Sequence, residues 1–214
     1  MASPDPAADP LLRSTDGRTG QNALEWSAAP LAAATCVLEV AGSGIVLERP
    51  SGRTPMQGSI TALPLRTNAV DGVRLLLTLP GLAEVDRAFA ELRRVLRPGA
   101  TLVVLVPSAS RRTAAELRMA GLLAGVHRGW TNRSALDNAG WLLAAADFAV
   151  LADDRRPFTL PLPDAAAAHD LAAALPRAGL WPADIAADVP ARLAARAAPG
   201  RVLPVPMRRL IARR

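Results

Sequence analysis

Residues 82–106 read LAEVDRAFAELRRVLRPGATLVVLV and predict a helix that leads directly into a buried strand. The large apolar side chains recur at steps of three and four residues, which places them on one face of a helix. They are Leu82, Val85, Phe89, Leu92 and Leu96. Pro98-Gly99 is expected to end the helix. The run from Thr101 to Val106 has no polar alternation, which is typical of a strand that is covered on both faces in a parallel sheet.

The composition predicts one domain of ordinary size, because 214 residues can bury a sizeable core. The net charge is +6, and every one of the 25 basic residues is arginine. The single cysteine, Cys36, excludes an internal disulfide and a cysteine-based zinc site. His169 has no neighbouring ligand at metal spacing, so it is interpreted as a surface residue and no metal site is predicted.

The charge is concentrated near the end of the chain. Seven arginines and no acidic residue lie between Val189 and Arg214, where prolines also interrupt the pattern. A solvated arginine-rich tail is the favoured interpretation, and binding of nucleic acid is the less favoured one because no aromatic residues interleave the arginines. We therefore expect a helical appendage over residues 164–214 that ends in this tail.

The beginning of the chain lacks periodicity. Residues 1–20 are rich in Pro, Asp, Gly and Ala, so we expect them to be disordered and the folded domain to occupy residues 21–163. The first ten residues have no basic and apolar pattern of a signal peptide, and no apolar run is long enough to span a bilayer. The sequence therefore predicts a cytoplasmic protein without a membrane partner.

The helix, Leu-Arg-Pro-Gly junction and strand resemble the stretch before the fifth strand of class I S-adenosylmethionine-dependent methyltransferases of the type 11-like group. The resemblance continues upstream through GSITALPL at residues 58–65 and DGV at residues 71–73, and downstream through residues 141–143 and 148–162. It covers about half of the chain. It implies an α/β fold with a Rossmann-like sheet, mostly parallel, that carries an antiparallel terminal strand pair.

The stretch TCVLEVAGSG at residues 35–44 resembles the first motif of that family, in which a strand enters a glycine turn beside the cofactor. The resemblance implies contacts to S-adenosylmethionine from four residues. They are Glu39, Ala41, Gly42 and Gly44. Compared with the family pattern, one residue and the first glycine are missing, and an ordinary turn would use the same residues.

The next segment is too short for the family's first crossover. Ile45-Val46-Leu47-Glu48 follows Gly44 at once, and the resemblance implies that Glu48 is the acid that binds the ribose. Parallel strands need a connection of a dozen or more residues, so we predict that the first crossover helix is missing and that the two strands form an antiparallel hairpin. An irregular loop is the alternative.

Two further segments depart from the family pattern. Ser59 stands where the family has the acid that reads the adenine amino group, and it can accept a hydrogen bond without bringing a charge. Residues 71–80, DGVRLLLTLP, are about three residues shorter than the family form. By resemblance, Ile60 and Thr78 complete the set of expected cofactor-binding residues.

The remaining sequence predicts three helices and a strand pair. The helices are expected at residues 113–126, 134–146 and 164–175. Strands are expected at residues 148–151 and 157–162, joined by a solvated charged turn that contains Asp153 and Asp154. His127 could act as a general base or cap a helix end, so no catalytic residue is assigned.

The resemblance implies methyl transfer from S-adenosylmethionine to a small molecule, by an enzyme whose cofactor-binding half is shortened. Since such enzymes work mainly by holding donor and acceptor in line, activity could be weak, or lost altogether. The alternative is a non-catalytic relative that uses the fold as a binding or dimerisation module. The appendage could then cover the active site or mediate formation of a homodimer.

Overall fold

The computed structural model describes residues 9–108, 113–114, 117, 130–174 and 188–214. The strands are β1 (Thr15–Asp16), β2 (Val37–Ala41), β3 (Gly44–Arg49), β4 (Gly52–Met56), β5 (Val70–Leu76), β6 (Leu96–Pro107), β7 (Ala149–Pro161) and β8 (Val202–Arg213). The α-helices are α1 (Ala23–Ala28), α2 (Val85–Val95), α3 (Ala135–Ala145), α4 (Ala165–Ala174) and α5 (Val189–Ala194), and short 3-10 turns occupy Ala29–Leu31 and Leu79–Gly81. None of the described helices is both long and apolar enough to cross a membrane.

The strands form one sheet in the order β1-β7-β8-β6-β5-β2-β3-β4. Its centre is parallel, because β5 pairs in parallel with both β2 and β6. The other neighbouring pairs are antiparallel. The predicted α/β class, its parallel core and its antiparallel terminal strand pair are confirmed, but five of the seven pairings among the described strands are antiparallel, so the parallel part is confined to β2, β5 and β6.

The predicted helix and strand of residues 82–106 are also confirmed, except that the helix ends at Val95 and Pro98-Gly99 lie inside β6. Ala88, Phe89, Leu92 and Val95 are the buried residues of α2, and they pack on the sheet. Residues 102–106 of β6 are fully buried. Alternate residues of that strand belong to apolar clusters on opposite faces, as a strand covered on both sides requires.

Two faces of the sheet can be distinguished by the helices that cover them. The face that packs against α2 and α3 carries Leu38, Val40, Leu75, Leu102 and Val104, and we call it the α2 face. The opposite face packs against α1 and the 3-10 turn that follows it, and we call it the α1 face. Trp26 of α1 is buried and contacts Phe158, with ring centroids 5.4 Å apart.

The predicted turn at Asp153 and Asp154 is wrong. These residues lie in the middle of β7, which extends from Ala149 to Pro161 and pairs with β8 from end to end, with one irregularity between Val150 and Ala152. Each carboxylate binds an arginine of β8: Asp153 binds Arg208 and Asp154 binds Arg209. The charges that suggested a turn are therefore cross-strand pairs in an extended ribbon.

The predicted solvated tail is also wrong for residues 202–213. These residues form β8, which lies between β6 and β7 and is a partner in the antiparallel pair at that side of the sheet. Pro204 and Pro206 precede Met207, where pairing with β6 begins, so their missing N–H donors do not interrupt that ladder. The sheet thus includes residues on both sides of the predicted boundary at residue 163.

Residues 9–20 are ordered, contrary to the prediction. Leu11 and Leu12 are buried, and β1 pairs with Phe158 and Thr159 of β7. The predicted helix of residues 113–126 and His127 lie largely outside the described residues. The helices predicted at residues 134–146 and 164–175 are confirmed as α3 and α4, and His169 is exposed on α4.

Arg208 joins β8 to two other elements and is almost fully buried. Its Nε lies 2.7 Å from Oδ1 of Asp153 and its Nη2 lies 2.6 Å from Oδ2, which makes a bidentate pair. Its Nη1 donates to the carbonyl oxygens of Leu136 and Asp137 at 3.2 and 2.6 Å. This side chain therefore fixes the start of α3 against the β7–β8 ribbon.

We expect Arg208→Met to lower the free energy of unfolding by about 2–3 kcal/mol, less than for a fully buried pair because Asp153 stays partly hydrated. Urea unfolding followed by circular dichroism measures this change. The control is Arg192→Met, which removes an exposed pair with Asp188 and should change stability by about 0.5 kcal/mol. Equal effects of the two substitutions would contradict the role of Arg208.

Lowering the pH should weaken the ion pair between Arg208 and Asp153. Hydrogen bonds from Arg208 hold the pKa of Asp153 below its ordinary value of 3.8, against the opposing effect of burial. The pKa of Asp153 is lower in the folded chain than in the unfolded chain. The pair therefore stabilises the fold fully at a pH above the unfolded-state pKa, and this contribution is lost as the pH falls through the folded-state pKa. Urea unfolding between about pH 6 and about pH 3 should therefore show a shallower decline for Asp153→Asn than for the unaltered chain. Parallel declines would contradict this assignment.

Candidate functional site

The glycine turn that resembles the cofactor motif closes a two-residue hairpin. Ala41 pairs with Gly44, so only Gly42 and Ser43 connect β2 to β3, and the predicted antiparallel hairpin is confirmed. Gly42 has φ +61°, whereas Ser43 has no positive φ, which fits a type II′ turn with glycine at its first central position. The hairpin itself thus explains why a glycine stands at this position.

The backbone of this turn is bound by Thr78, which follows the end of β5. The N–H of Gly42 donates to Thr78 Oγ1 at 2.9 Å, and the hydroxyl lies 2.9 Å from the carbonyl oxygen of Leu76. Thr78 is almost fully buried. The hydroxyl therefore accepts from the turn and donates to the strand, which leaves it little capacity for a ligand.

The same strand end is filled by apolar side chains. In open α/β sheets, ligands bind in the crevice outside the carboxyl ends of the parallel strands. Here the residues at those ends belong to one buried cluster with the N-terminal segment and two tryptophans. The cluster includes Ala41, Leu76, Leu77, Leu105, Leu11, Leu12, Trp26 and Trp130. Within the described residues, this edge of the sheet is thus packed with apolar groups.

Leu77 contributes to this packing at the expense of backbone strain. Its φ is +55°, a conformation that non-glycine residues rarely adopt, and its side chain is fully buried. The N–H of Leu77 donates to the carbonyl oxygen of Leu105 at 2.8 Å, which holds the backbone against β6. The strained residue fills the strand end with a leucine side chain.

Ser59 and Ile60 lie in a separate loop. Ser59 Oγ lies 2.9 Å from Thr61 Oγ1 and accepts from the N–H of Thr61 at 3.2 Å, and the residue is exposed. Ile60 is buried in the cluster of the α2 face. The hydroxyl of Ser59 is thus used within its own turn.

Glu48 lies at the far end of β3 from the glycine turn. The hairpin register places it opposite Val37, the first residue of β2. It is the fourth residue after Gly44, which is about 13 Å along an extended strand. The structure thus brings Gly42, Gly44, Ala41 and Thr78 together at one end of the hairpin and leaves Glu48 at the other.

Glu48 belongs instead to a ring of four charged residues on the α1 face, which we call the charged ring. Glu39 pairs with Arg74 and Arg53, and Glu48 pairs with the same two arginines. Glu39 Oε1 lies 2.7 Å from Arg53 Nη2, and Glu48 lies 3.1 Å from Arg53 Nε and 3.4 Å from Arg74 Nη2. Strand register sets these contacts, because Glu39 is opposite Arg74 and Glu48 is opposite Arg53.

The charged ring is buried at one side and exposed to solvent at the other. The exposed fraction of the side chain rises from 1% for Glu39 and 8% for Arg74 to 34% for Glu48 and 45% for Arg53. Burial is the main cause that raises the pKa of Glu39 above its ordinary value of 4.5, and Arg74 and Arg53 act against it. Glu39 therefore depends on the two arginines to remain ionised.

Sequence reasoning identified Glu39 and Glu48 but missed Arg74 and Arg53. A signal was present, because Arg74 interrupts the apolar run VRLLL and Glu39 interrupts VLEV. Single opposite charges in two strands that are apolar on both sides predict a buried pair when the strands are neighbours. The binding roles expected for Glu39, Ala41, Gly42, Gly44, Glu48, Ser59, Ile60 and Thr78 stay predictions. Among the described residues, no group of three or more His, Cys, Asp or Glu side chains could hold a metal ion.

Comparisons with known proteins match the chain to methyltransferases. The sequence profile of a family described as methyltransferase domain matches residues 19–104. No curated protein sequence matches the chain.

Solved structures of methyltransferases show a distant likeness. A putative methyltransferase from Bacillus halodurans is 15% identical over 73% of this chain and 69% of its own, with a TM-score of 0.47. A putative type II methyltransferase from Anaeromyxobacter dehalogenans is 24% identical over 74% of this chain and 69% of its own, with a TM-score of 0.46. A SAM-dependent methyltransferase from Aquifex aeolicus is 13% identical over 75% of this chain and 54% of its own, with a TM-score of 0.38. This chain therefore spans about half the length of that protein.

The matched segment contains the glycine turn, both parallel strand pairings and helix α2. It is also the segment in which the Leu-Arg-Pro-Gly junction and the first motif were recognised. Residues 19–104 are therefore similar to the methyltransferase-domain family, in agreement with the resemblance to class I methyltransferases predicted for this part of the chain.

Proposed function

We propose that this methyltransferase-like protein binds S-adenosylmethionine weakly or not at all, and that it uses the fold as a binding module. The observation that carries the proposal is the two-residue connection between β2 and β3. A donor pocket of the usual kind needs a glycine turn that opens a helix and an acid at the end of a parallel second strand. Here the glycine turn enters a strand of opposite direction.

The position of Glu48 supports the proposal. An acid that binds ribose must lie near the glycine turn, because both contact one nucleoside. Antiparallel pairing carries Glu48 about 13 Å from that turn. Its carboxylate also pairs with Arg53 and Arg74. The carboxylate of Glu48 is therefore already engaged in ion pairs within the charged ring.

The strand end supports the proposal in a second way. Thr78 Oγ1 accepts from the Gly42 N–H, one of the backbone donors that a bound anion would use. Leu77 and its neighbours fill the crevice at this end with apolar side chains. A donor molecule would have to displace both the hydrogen bond and the packing.

Methyl transfer from S-adenosylmethionine to a small-molecule acceptor is the second candidate. The family match over residues 19–104 favours it, and transfer needs alignment of donor and acceptor more than a large set of catalytic side chains. Binding of nucleic acid has less support. Two arginines of the predicted tail, Arg208 and Arg209, already form ion pairs with Asp153 and Asp154.

Calorimetric titration with S-adenosylhomocysteine, the product of the donor, separates the two candidates. We expect no heat of binding at ligand concentrations up to about 1 mM, because the turn, the acid and the crevice do not converge. The far-ultraviolet circular dichroism spectrum and a cooperative thermal transition establish that the sample is folded. A dissociation constant in the range of about 1–10 μM would contradict the proposal and favour the enzyme.

Glu48→Gln tests whether the acid acts in the charged ring or at the donor position. We expect this substitution to lower the free energy of unfolding by about 1 kcal/mol or less, because Glu48 is partly exposed in its ion pairs. Glu84→Gln is the matched control, since Glu84 pairs with Arg87 on the surface. If Glu48→Gln weakens a measurable affinity for S-adenosylhomocysteine by tenfold or more while Glu84→Gln does not, Glu48 binds the donor and the proposal is wrong.

A further inference from the structure

A groove of about 450 Å³ opens on the α1 face, between the end of α1 and the β3–β4 hairpin. Its apolar wall comes from residues 28–37 and includes Ala28, Leu31, Ala32, Ala34 and Val37. Its polar wall includes Glu48, Arg49, Arg53 and Arg74. The groove is open to solvent, its volume lies within the range of small-molecule sites, and its walls combine apolar and charged side chains.

The groove exists because no helix connects β2 to β3. In a parallel crossover, the connecting helix packs on the face of the sheet that it crosses. The hairpin and β4 continue as a meander instead, and α1 and the 3-10 turn that follows it pack mainly against β6. The charged ring therefore borders an open space rather than the underside of a helix.

Arg74 has unused hydrogen-bonding capacity at this groove. Its side chain is 8% exposed, and in the part of the chain that the structure describes, only its Nη2 makes hydrogen bonds. Nε of Arg74 is buried and has no partner there. Because Nε itself is buried, an acceptor in the groove would instead bind the exposed part of the guanidinium, where Nη1 makes no hydrogen bond with a described residue.

Arg49 supplies a second cation at the rim. It is exposed, and its side chain makes no hydrogen bond or ion pair with any described residue. With Glu39, which pairs with Arg74 and Arg53 behind the lining, the three arginines and two glutamates of this region have a formal charge of +1. The field of the groove thus favours an anion.

We propose that this groove binds a small organic carboxylate with an apolar body. The carboxylate would lie toward Arg49 and Arg74, and the apolar body would lie against Leu31, Ala34 and Val37. A planar carboxylate matches the donor geometry of a guanidinium. A dianion such as a phosphate monoester fits less well, because the half-buried carboxylate of Glu48 lies on the same wall and repels a second negative charge.

The site is separate from the strand end where the resemblance implies the donor. The groove is built at the amino end of β2, by Val37, whereas the glycine turn is about 13 Å away at the carboxyl end of that strand. The inference therefore goes beyond the proposed function and does not depend on it. Failure of S-adenosylhomocysteine to bind leaves it intact.

The test is a titration of isotope-labelled protein with 2-naphthoate, followed by the chemical shifts of backbone amides. We expect a dissociation constant of roughly 1 mM or below, from the number of non-hydrogen atoms in the probe. The shifts should be confined to residues 28–37, 48–53 and 74. The uncharged analogue 2-naphthamide should bind at least about tenfold more weakly, because it lacks the charge that the arginines attract.

Two pairs of variants give matched controls. Ala32→Phe should weaken binding of 2-naphthoate by about tenfold or more, because Ala32 lines the groove, whereas Ala33→Phe alters an exposed neighbour outside the lining. Arg49→Gln should weaken it by about threefold or more, whereas Arg66→Gln removes an equally exposed arginine away from the groove. None of these four side chains is buried, so the variants should fold.

Several results would overturn the inference. They are an absence of shifts at about 10 mM probe, equal affinity for the amide, and unchanged affinity in Ala32→Phe. Shifts centred on Gly42 and Thr78, or displacement of 2-naphthoate by S-adenosylhomocysteine, would show instead that the probe occupies the donor position.

Discussion

The link of two residues between β2 and β3 fixes the direction of everything that follows it in this half of the sheet. A chain that turns within Gly42-Ser43 can only run back beside the strand that it has left. β4 then returns along β3 by the same rule and becomes the edge of the sheet. The arrangement of charges and open space on the α1 face follows from these two reversals.

The charged ring is the part of that face in which electrostatics and burial are in conflict. Two carboxylates and two arginines lie within reach of one another, but only Glu48 and Arg53 retain much contact with water. Replacing a buried ion pair by apolar groups is often neutral or favourable, so the ring is weak evidence for stability. Its position beside a groove gives it a use as a recognition surface that an apolar pair could not provide.

How much the sequence could predict depended on whether the decisive partner was near in the chain. The α2–β6 unit followed from its own apolar pattern, and the hairpin followed from the count of residues between Gly44 and Glu48. That β8 is a strand did not follow from the sequence. Its Arg208 pairs with Asp153, which is 55 residues away, and each residue on its own has the sequence surroundings of a solvent-exposed charge. Arg74 was missed for the same reason, since its partner Glu39 is 35 residues away.

The place of β8 in the sheet has a consequence for the order of assembly. Among the described strands, β7 pairs only with β1 and β8, and β6 is linked to β7 only through β8. Until residues 202–213 have left the ribosome, the strands therefore form two separate groups: a central sheet whose β6 edge is unpaired, and the β1–β7 pair. Insertion between them is a late, long-range step of the kind that slows folding and prolongs exposure of bare strand edges.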